Sequence, residues 1–378
     1  MAGIYVHIPY CVKKCAYCDF VSFPDDGSIG QYCDALIREI QLTAQANLCQ
    51  LSFDTVYFGG GTPSLLSGEQ VGRIMGALRE NFPILPEAEI SMECNPGTTT
   101  ATNLRAYRAA GVNRLSIGLQ SSCDQLLEII GRIHRYLQFA DTVRQARDAG
   151  FDNLNVDVMH GLPGQTQKQY LDTLKSVCDL DVQHVSSYSL ILNEDTPLFL
   201  RVKWGEVGLP DVDFVADMQD AGMEYLESRG YCRYEISNFC KPGCQCRHNL
   251  NYWNNGEYLG LGVAAHSALR MHEWTRYSNV ENRKEYFRLI GRNRRPVREI
   301  IRLYPADEMF ETVMLGLRQV QGVNRKAFVE RFGVDMADAY PTAMEKLAQR
   351  DWLSSNETHI ALNDKGLDMQ NSALQFFM

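Results

Sequence analysis

Cys11-Val-Lys-Lys-Cys15-Ala-Tyr-Cys18 brings three thiols into one short loop at C-x3-C-x2-C spacing. Sulfurs that close can surround a single compact inorganic cluster. Zinc is the rival, but structural zinc takes four protein ligands and usually pairs two C-x2-C knuckles. No second knuckle lies nearby. Three ligands leave one metal position open, which is what a reactive site needs.

Other residues could serve such a site. Gly59-Gly60-Gly61-Thr62-Pro63 offers a backbone that tolerates φ > 0 and can approach a ligand closely. No Gly-Lys-Ser/Thr follows, so it is not a phosphate loop. Glu93, Gln120 and Asp157 each lie at or near the end of a strand-like run. His248-Asn-Leu-Asn-Tyr252-Trp253 sets an imidazole beside two flat rings, a combination that can contact haem. On its residues alone it reads as a polar loop or helix start. Cys240-Lys-Pro-Gly-Cys244-Gln-Cys246 could hold a metal or haem, yet only His248 is near enough to complete it, and the cluster is read as incidental. Gly260-Leu-Gly262 imitates a dinucleotide loop without the βαβ context. Arg288, Arg292, Arg294, Arg295, Arg298 and Arg302 read as a solvated surface, with docking of an acidic partner or tetrapyrrole propionates as the alternative.

The elements that must position these groups repeat one pattern: strand, Gly/Pro-rich turn, amphipathic helix. Strands are expected at Gly3–Ile8, Thr55–Phe58, Glu89–Cys94, Arg114–Gly118, Asn153–Val158 and His184–Leu190. Helices are expected at about Gly30–Ala46, Glu69–Asn81, Thr102–Ala110, Leu137–Ala149 and Gln167–Leu180. Alternation of this kind implies a parallel α/β sheet, either open and doubly wound or a partial barrel. In both, ligands sit at the carboxyl ends of the strands, where the polar residues fall. A linker over Asn193–Asp213 leads to a helix at Val212–Arg229 and a strand-like Cys232–Asn238. The tail shows helices at Ala306–Leu317, Arg325–Phe332 and Pro341–Gln349, then strands at Trp352–Ser354 and His359–Leu362, a winged-helix-like module. The expected division is a core at 1–200, a connecting region at 201–304 and the winged module at 305–378.

Composition sets bounds. The chain has 378 residues, 45% hydrophobic and 22% charged, enough for a sizeable core in two or three domains. A net charge of −9 argues against nucleic acid as a partner. No apolar run nears the ~18 residues that span a bilayer, and the first residues lack signal-peptide character. A cytoplasmic location is expected. There, twelve cysteines are unlike a disulfide framework. Cys33, Cys49, Cys94, Cys123 and Cys178 stand alone and read as small buried hydrophobes.

The C-x3-C-x2-C loop after the first strand resembles the signature of the radical SAM superfamily. That resemblance implies a partial (β/α)6 barrel. It also implies a [4Fe–4S] cluster on Cys11, Cys15 and Cys18, with S-adenosylmethionine (SAM) chelating the fourth iron and open to cleavage to a 5′-deoxyadenosyl radical. Tyr5-Val-His-Ile-Pro-Tyr-Cys11, Cys18-Asp-Phe20, Phe58-GGGTP-Ser64, Gly118-Leu-Gln-Ser121, Gly131-Arg132 and Asn155-Val-Asp157 with His160-Gly-Leu-Pro-Gly164 are similar to its coproporphyrinogen-oxidase-like branch. The matching SAM contacts are Tyr5, Tyr17, Gly60, Gly61, Thr62, Glu93, Gln120, Arg132 and Asp157.

His248-Asn-Leu-Asn-Tyr252-Trp253 resembles the HNxxYW motif of the HemW-type haem chaperones of that branch. This implies haem as a ligand, with His248, Tyr252 and Trp253 as its contacts. It also implies an apo-haemoprotein acceptor such as a respiratory cytochrome, transient contact with membrane proteins, and a reductant such as flavodoxin or ferredoxin. The alternative from the same branch is the oxygen-independent coproporphyrinogen III dehydrogenase, a radical decarboxylase. That family carries a fourth cysteine where this chain has Phe20, and a segment before the first strand, which here begins by Gly3. Both departures favour the chaperone over that enzyme. A nucleic-acid-modifying protein is the remote third reading.

Overall fold

The computed structural model describes residues 2–48 and 50–378, so Cys49 lies outside the described residues. Six strands run parallel: β1 (Ala2–Ile8), β2 (Phe53–Gly60), β3 (Ile84–Cys94), β4 (Arg114–Gln120), β5 (Asn153–His160) and β6 (His184–Ser189). Helices α1 (Ile29–Gln45), α2 (Gly68–Asn81) and α3 (Ala101–Ala110) link the first four strands in turn. α4 (Asp124–Ile129) and α5 (Tyr136–Asp148) lead to β5, and α6 (Gln167–Asp179) to β6. β1 is buried almost throughout, as a central parallel strand covered on both faces must be. Ser67 with Gln70 and Thr166 with Gln169 form capping boxes that start α2 and α6.

The six strands neighbour one another in chain order. A doubly wound sheet reverses its order at a switch point. Here no reversal occurs, so each crossover continues in the same sense and the sheet curls as in a barrel. It does not close.

Beyond α7 (Pro197–Lys203) and α8 (Val212–Ser228), the chain extends both edges of the sheet. β7 (Cys232–Arg233) and β8 (Asn238–Cys240) form an antiparallel pair beside β6, where one strand-like stretch was expected. After α9 (Arg247–Trp253), β9 (Tyr258–Leu261) lies parallel to β1. β10 (His266–Arg270), β11 (Trp274–Asn279) and, after α10 (Arg283–Gly291), β12 (Val297–Arg302) continue antiparallel. The twelve strands run β12-β11-β10-β9-β1-β2-β3-β4-β5-β6-β8-β7. The sequence concealed β9 because Gly260, with Gly262 just after the strand, resembles a loop. A Cβ at Gly260 would lie 2.0 Å from the His266 carbonyl oxygen, so close strand packing requires this glycine. The expected 193–213 linker likewise contains α7.

The tail has its own core around Val313, Phe328, Leu347 and Leu362. It comprises α11 (Pro305–Gly316), α12 (Arg325–Phe332), α13 (Met336–Ala339) and α14 (Pro341–Gln349), with a three-stranded sheet of Val323–Asn324, Leu353–Ser355 and His359–Leu362. Buried Glu308 joins it to the large sheet, accepting from Arg270 of β10 and from Arg331 Nε at 2.6 Å. Both guanidiniums lie over the Trp274 ring. Among the described residues no helix is long and apolar enough to cross a membrane.

Glu308→Gln should cost about 1–3 kcal/mol, the range for charged hydrogen bonds discounted for partial exposure. Urea unfolding should show the loss, and hydrogen exchange should quicken in α11 and α12. Unchanged exchange there would mean the pairing does not hold the module.

Candidate functional site

The cysteine loop follows β1 and has little regular structure of its own. It is pinned by neighbours: Ala16 N donates to the Ile130 carbonyl (2.9 Å), and Leu198 N donates to the Ala16 carbonyl (2.8 Å). Gly131, at φ +76°, permits this approach, since a Cβ there would lie 3.0 Å from Ala16 N. Two helices the sequence did not reveal, α4 and α7, thus set the loop's position.

Cys11, Cys15 and Cys18 are all half-buried free thiols lining one cavity of about 580 Å³. Burial pushes the Cys18 thiol up to about 11. Among the described residues no three His, Cys, Asp or Glu side chains converge on a single metal ion. Three thiols lining one cavity fit a polynuclear cluster, in which each thiolate takes a different iron.

A hydrogen-bond chain connects two of the cysteines. Thr62 Oγ1 donates to Cys11 Sγ (3.5 Å), and Asn95 Nδ2 donates to Thr62 Oγ1 (2.8 Å). Arg132 Nη2 donates to Asn95 Oδ1 (2.7 Å) and to the Gly118 carbonyl, while Nη1 reaches Cys15 Sγ (3.7 Å). Arg132 Nε is buried without a partner. Asn95 escaped the sequence reading, although a polar residue just after a strand and before Pro96-Gly97 was the signal.

The carboxyl ends of β2 to β6 converge on this cavity, contributing Gly60, Glu93, Gln120, Asp157 and Tyr188. Tyr17, Gly61, Thr62 and Arg132 also line it. Of the nine expected SAM contacts, only Tyr5 does not. Its ring stacks on Tyr57 (6.3 Å) and borders the neighbouring cavity. The triple glycine serves close packing as well as ligand approach. At Gly60, φ is +108° and a Cβ would lie 2.5 Å from the His7 ring; at Gly61, one would lie 2.6 Å from the Tyr10 carbonyl oxygen.

Glu93 accepts from the Tyr57 hydroxyl (3.1 Å) and from Gly60 N (3.2 Å). Burial, reinforced by the Asp157 charge, pushes its carboxyl up to about 8. Asp157 is raised by burial, against the Asn155 amide that donates to it at 2.7 Å. Gln120 adopts φ +71° and accepts from the Tyr188 hydroxyl (3.1 Å). Buried Arg114 adds a cation to the cavity wall.

A second cavity of about 650 Å³ adjoins the first, and Asp19, Phe20, Tyr57, Gly60, Glu93 and Asn249 line both. Its far wall is α9. Arg247 N and His248 N donate to the Glu89 carboxylate at 3.1 and 3.2 Å, so a side chain from β3 neutralises the positive end of this helix. The helix puts His248 and Tyr252 on one face. His248 is buried, its Nδ1 2.7 Å from Thr55 Oγ1 and its Nε2 2.9 Å from the Tyr252 hydroxyl. It stacks on Tyr57 (5.2 Å), and burial lowers its pKa to about 3. Ligation of iron by His248 therefore requires breaking one of those bonds. Tyr252 and Trp253 line the cavity beside it, Trp253 Nε1 without a partner.

The remaining candidates separate. Cys240 pairs across the strands with Cys232, while Cys246 donates to Glu89 beneath α9. Burial pushes Cys240 and Cys246 up to about 11 and about 12. Arg288 and Arg298 are exposed and bonded to Glu285 and Glu281; Arg292, Arg294 and Arg302 are exposed too, while Arg295 lies over Tyr277. Cys33, Cys94 and Cys178 are buried, but Cys123 is only half-buried at the start of α4.

A model of the radical SAM superfamily matches residues 5–177, and one of the HemN C-terminal domain matches residues 303–369. The heme chaperone HemW of Bacillus subtilis is 35% identical, covering 100% of this chain and 99% of that relative. The heme chaperone HemW of Escherichia coli is 33% identical, with coverage of 100% and 98%. The structure of coproporphyrinogen III oxidase (HemN) from Escherichia coli superposes with a TM-score of 0.85 at 24% identity, over 100% of this chain and 89% of that one. That likeness establishes the fold.

Glu93 gives a pH signature. Its carboxyl sits at about 8, above the ordinary ~4.3 of the unfolded chain, so ionising it in place costs stability as pH rises through that window. Glu93→Gln removes the cost. Measured against the wild type at each pH, the variant should be more stable at pH 9 than at pH 4 by about 3–5 kcal/mol. Equal melting at both values would contradict this burial.

Proposed function

The chain belongs to the HemW family of the radical SAM superfamily, and from that premise we propose that it is a haem chaperone. It would hold a [4Fe–4S] cluster on Cys11, Cys15 and Cys18, bind SAM beside it, and pass haem to apo-haemoproteins such as respiratory cytochromes. The observation that carries this reading is the shared wall of the two cavities. Haem held against Tyr252 and Trp253 would then lie next to the SAM pocket, separated from it by Tyr57, Phe20 and Glu93.

The residues of the first cavity suit SAM. A reduced cluster of this type supplies the electron for reductive cleavage of the sulfonium. The chain's own part is recognition: Glu93 and Asp157 offer acceptors to ammonium and hydroxyl groups, and Arg132 offers its unpartnered Nε to a carboxylate. Gly60 and Gly61 let the backbone approach, and Tyr17, Thr62 and Gln120 complete the lining. Tyr5 would act through Tyr57, on which it stacks. Lys13 and Lys14, exposed at the cavity mouth, suit the approach of an acidic reductant such as flavodoxin or ferredoxin.

Arg132→Ala should weaken SAM binding by about 1.5–3 kcal/mol, the range for a charged hydrogen bond. Iron content after anaerobic reconstitution should stay unchanged, whereas replacing all three cysteines by serine should abolish it. Undiminished SAM affinity by calorimetry in Arg132→Ala would displace the pocket.

The dehydrogenase alternative makes an opposite prediction. Phe20, 58% exposed between the two cavities, stands where that family has its additional cysteine. With reductant and SAM under anaerobic conditions, coproporphyrinogen III should not be decarboxylated over many turnovers. The protein should instead bind about one haem per chain saturably and donate it to an apo-cytochrome subunit. Sustained decarboxylation matched by 5′-deoxyadenosine release would replace the chaperone reading with the enzyme.

A further inference from the structure

Three histidines line the aromatic cavity, and their ring nitrogens differ in availability. His7 has Nδ1 3.0 Å from the Tyr5 hydroxyl and Nε2 2.9 Å from the Val21 carbonyl oxygen. His248 is committed on both sides, to Thr55 and Tyr252. His266, at the start of β10, is exposed and carries no side-chain hydrogen bond among the described residues. An imidazole with a free nitrogen can ligate iron at once; one with both nitrogens bonded must first lose a buried hydrogen bond.

We propose that His266 supplies the axial imidazole to haem in this cavity, an assignment that rests on the haem-chaperone reading. Its position is well fixed. It sits on a strand, opposite Ser278 of β11, with its backbone packed against Gly260. Ser267 accepts from Gly260 N at 2.8 Å and locks the same turn. A ligand mounted on a strand is held more closely than one on a loop. His248 is then a positioning residue: it holds the Tyr252 ring, with which it makes an edge contact at 4.8 Å, against the macrocycle. Arg318 lies over Trp253 at 4.7 Å with Nε unpartnered, a cation behind the cavity wall whose charge suits a propionate.

The test is titration of ferric haem into the full chain, followed by absorbance and electron paramagnetic resonance. The wild type should bind about one haem per chain with an imidazole-ligated spectrum. His266→Ala should weaken binding about tenfold or more and change the spectrum, and added imidazole should restore the spectrum. His248→Ala should lower affinity while keeping the imidazole-type spectrum. A His266→Ala protein with wild-type spectrum and affinity overturns the assignment and leaves the chaperone reading standing. Absence of saturable haem binding by the wild type overturns both.

Discussion

The Asn95 amide is hydrogen-bonded in both directions. It receives from Arg132 and donates to Thr62, and those two residues reach Cys15 and Cys11. The loop that carries the cysteines has only fragments of regular structure, so its shape depends on such external ties. Each tie comes from a different strand end: Thr62 follows β2, Asn95 follows β3 and Arg132 lies beyond β4. They meet only because the strands neighbour one another in chain order and curl. The sequential parallel sheet is therefore the condition for everything at the site.

That site places several charges where water is scarce. Glu93, Asp157, Arg132 and Arg114 share one cavity wall, and each costs desolvation free energy in the fold. Glu93 relieves its part by holding a proton up to about pH 8. Arg132 leaves Nε without a partner. A fold tolerates such groups when a ligand with complementary charges completes them, and a zwitterionic, cationic sulfonium has those charges. The same accounting separates the two cavities. The first is charged and glycine-backed, whereas the second is walled by stacked and edge-on rings from Tyr5 to Tyr258.

The aromatic wall in turn depends on Glu89. Seven residues of α9 make a poor helix in isolation, because nucleation is costly and few hydrogen bonds follow. The carboxylate from β3 satisfies two of its first N–H groups and stabilises its positive end. With the helix fixed, His248 can bond Thr55 and Tyr252 at once, and the Tyr57–His248–Tyr252 array becomes rigid.

The sequence by itself determined the parallel strands, their helices and the residue types at their carboxyl ends. Those features are local: period, capping boxes and a spacing of three cysteines within one loop. It also put Glu93, Gln120 and Asp157 on one rim, since ends of neighbouring parallel strands must share it. Tertiary structure decided what the local pattern could not encode. β9 hid behind Gly260 and Gly262, because a strand that needs glycine for close packing looks like a turn. α9 read as a polar loop or helix start without a visible end, because its cap comes from a distant strand. Tyr5 fell behind Tyr57, because which face of β1 meets which cavity depends on the curl of the sheet. The availability of His266, against the commitment of His248, was decided by contacts with Thr55 and Tyr252, and only the folded chain makes the first of them.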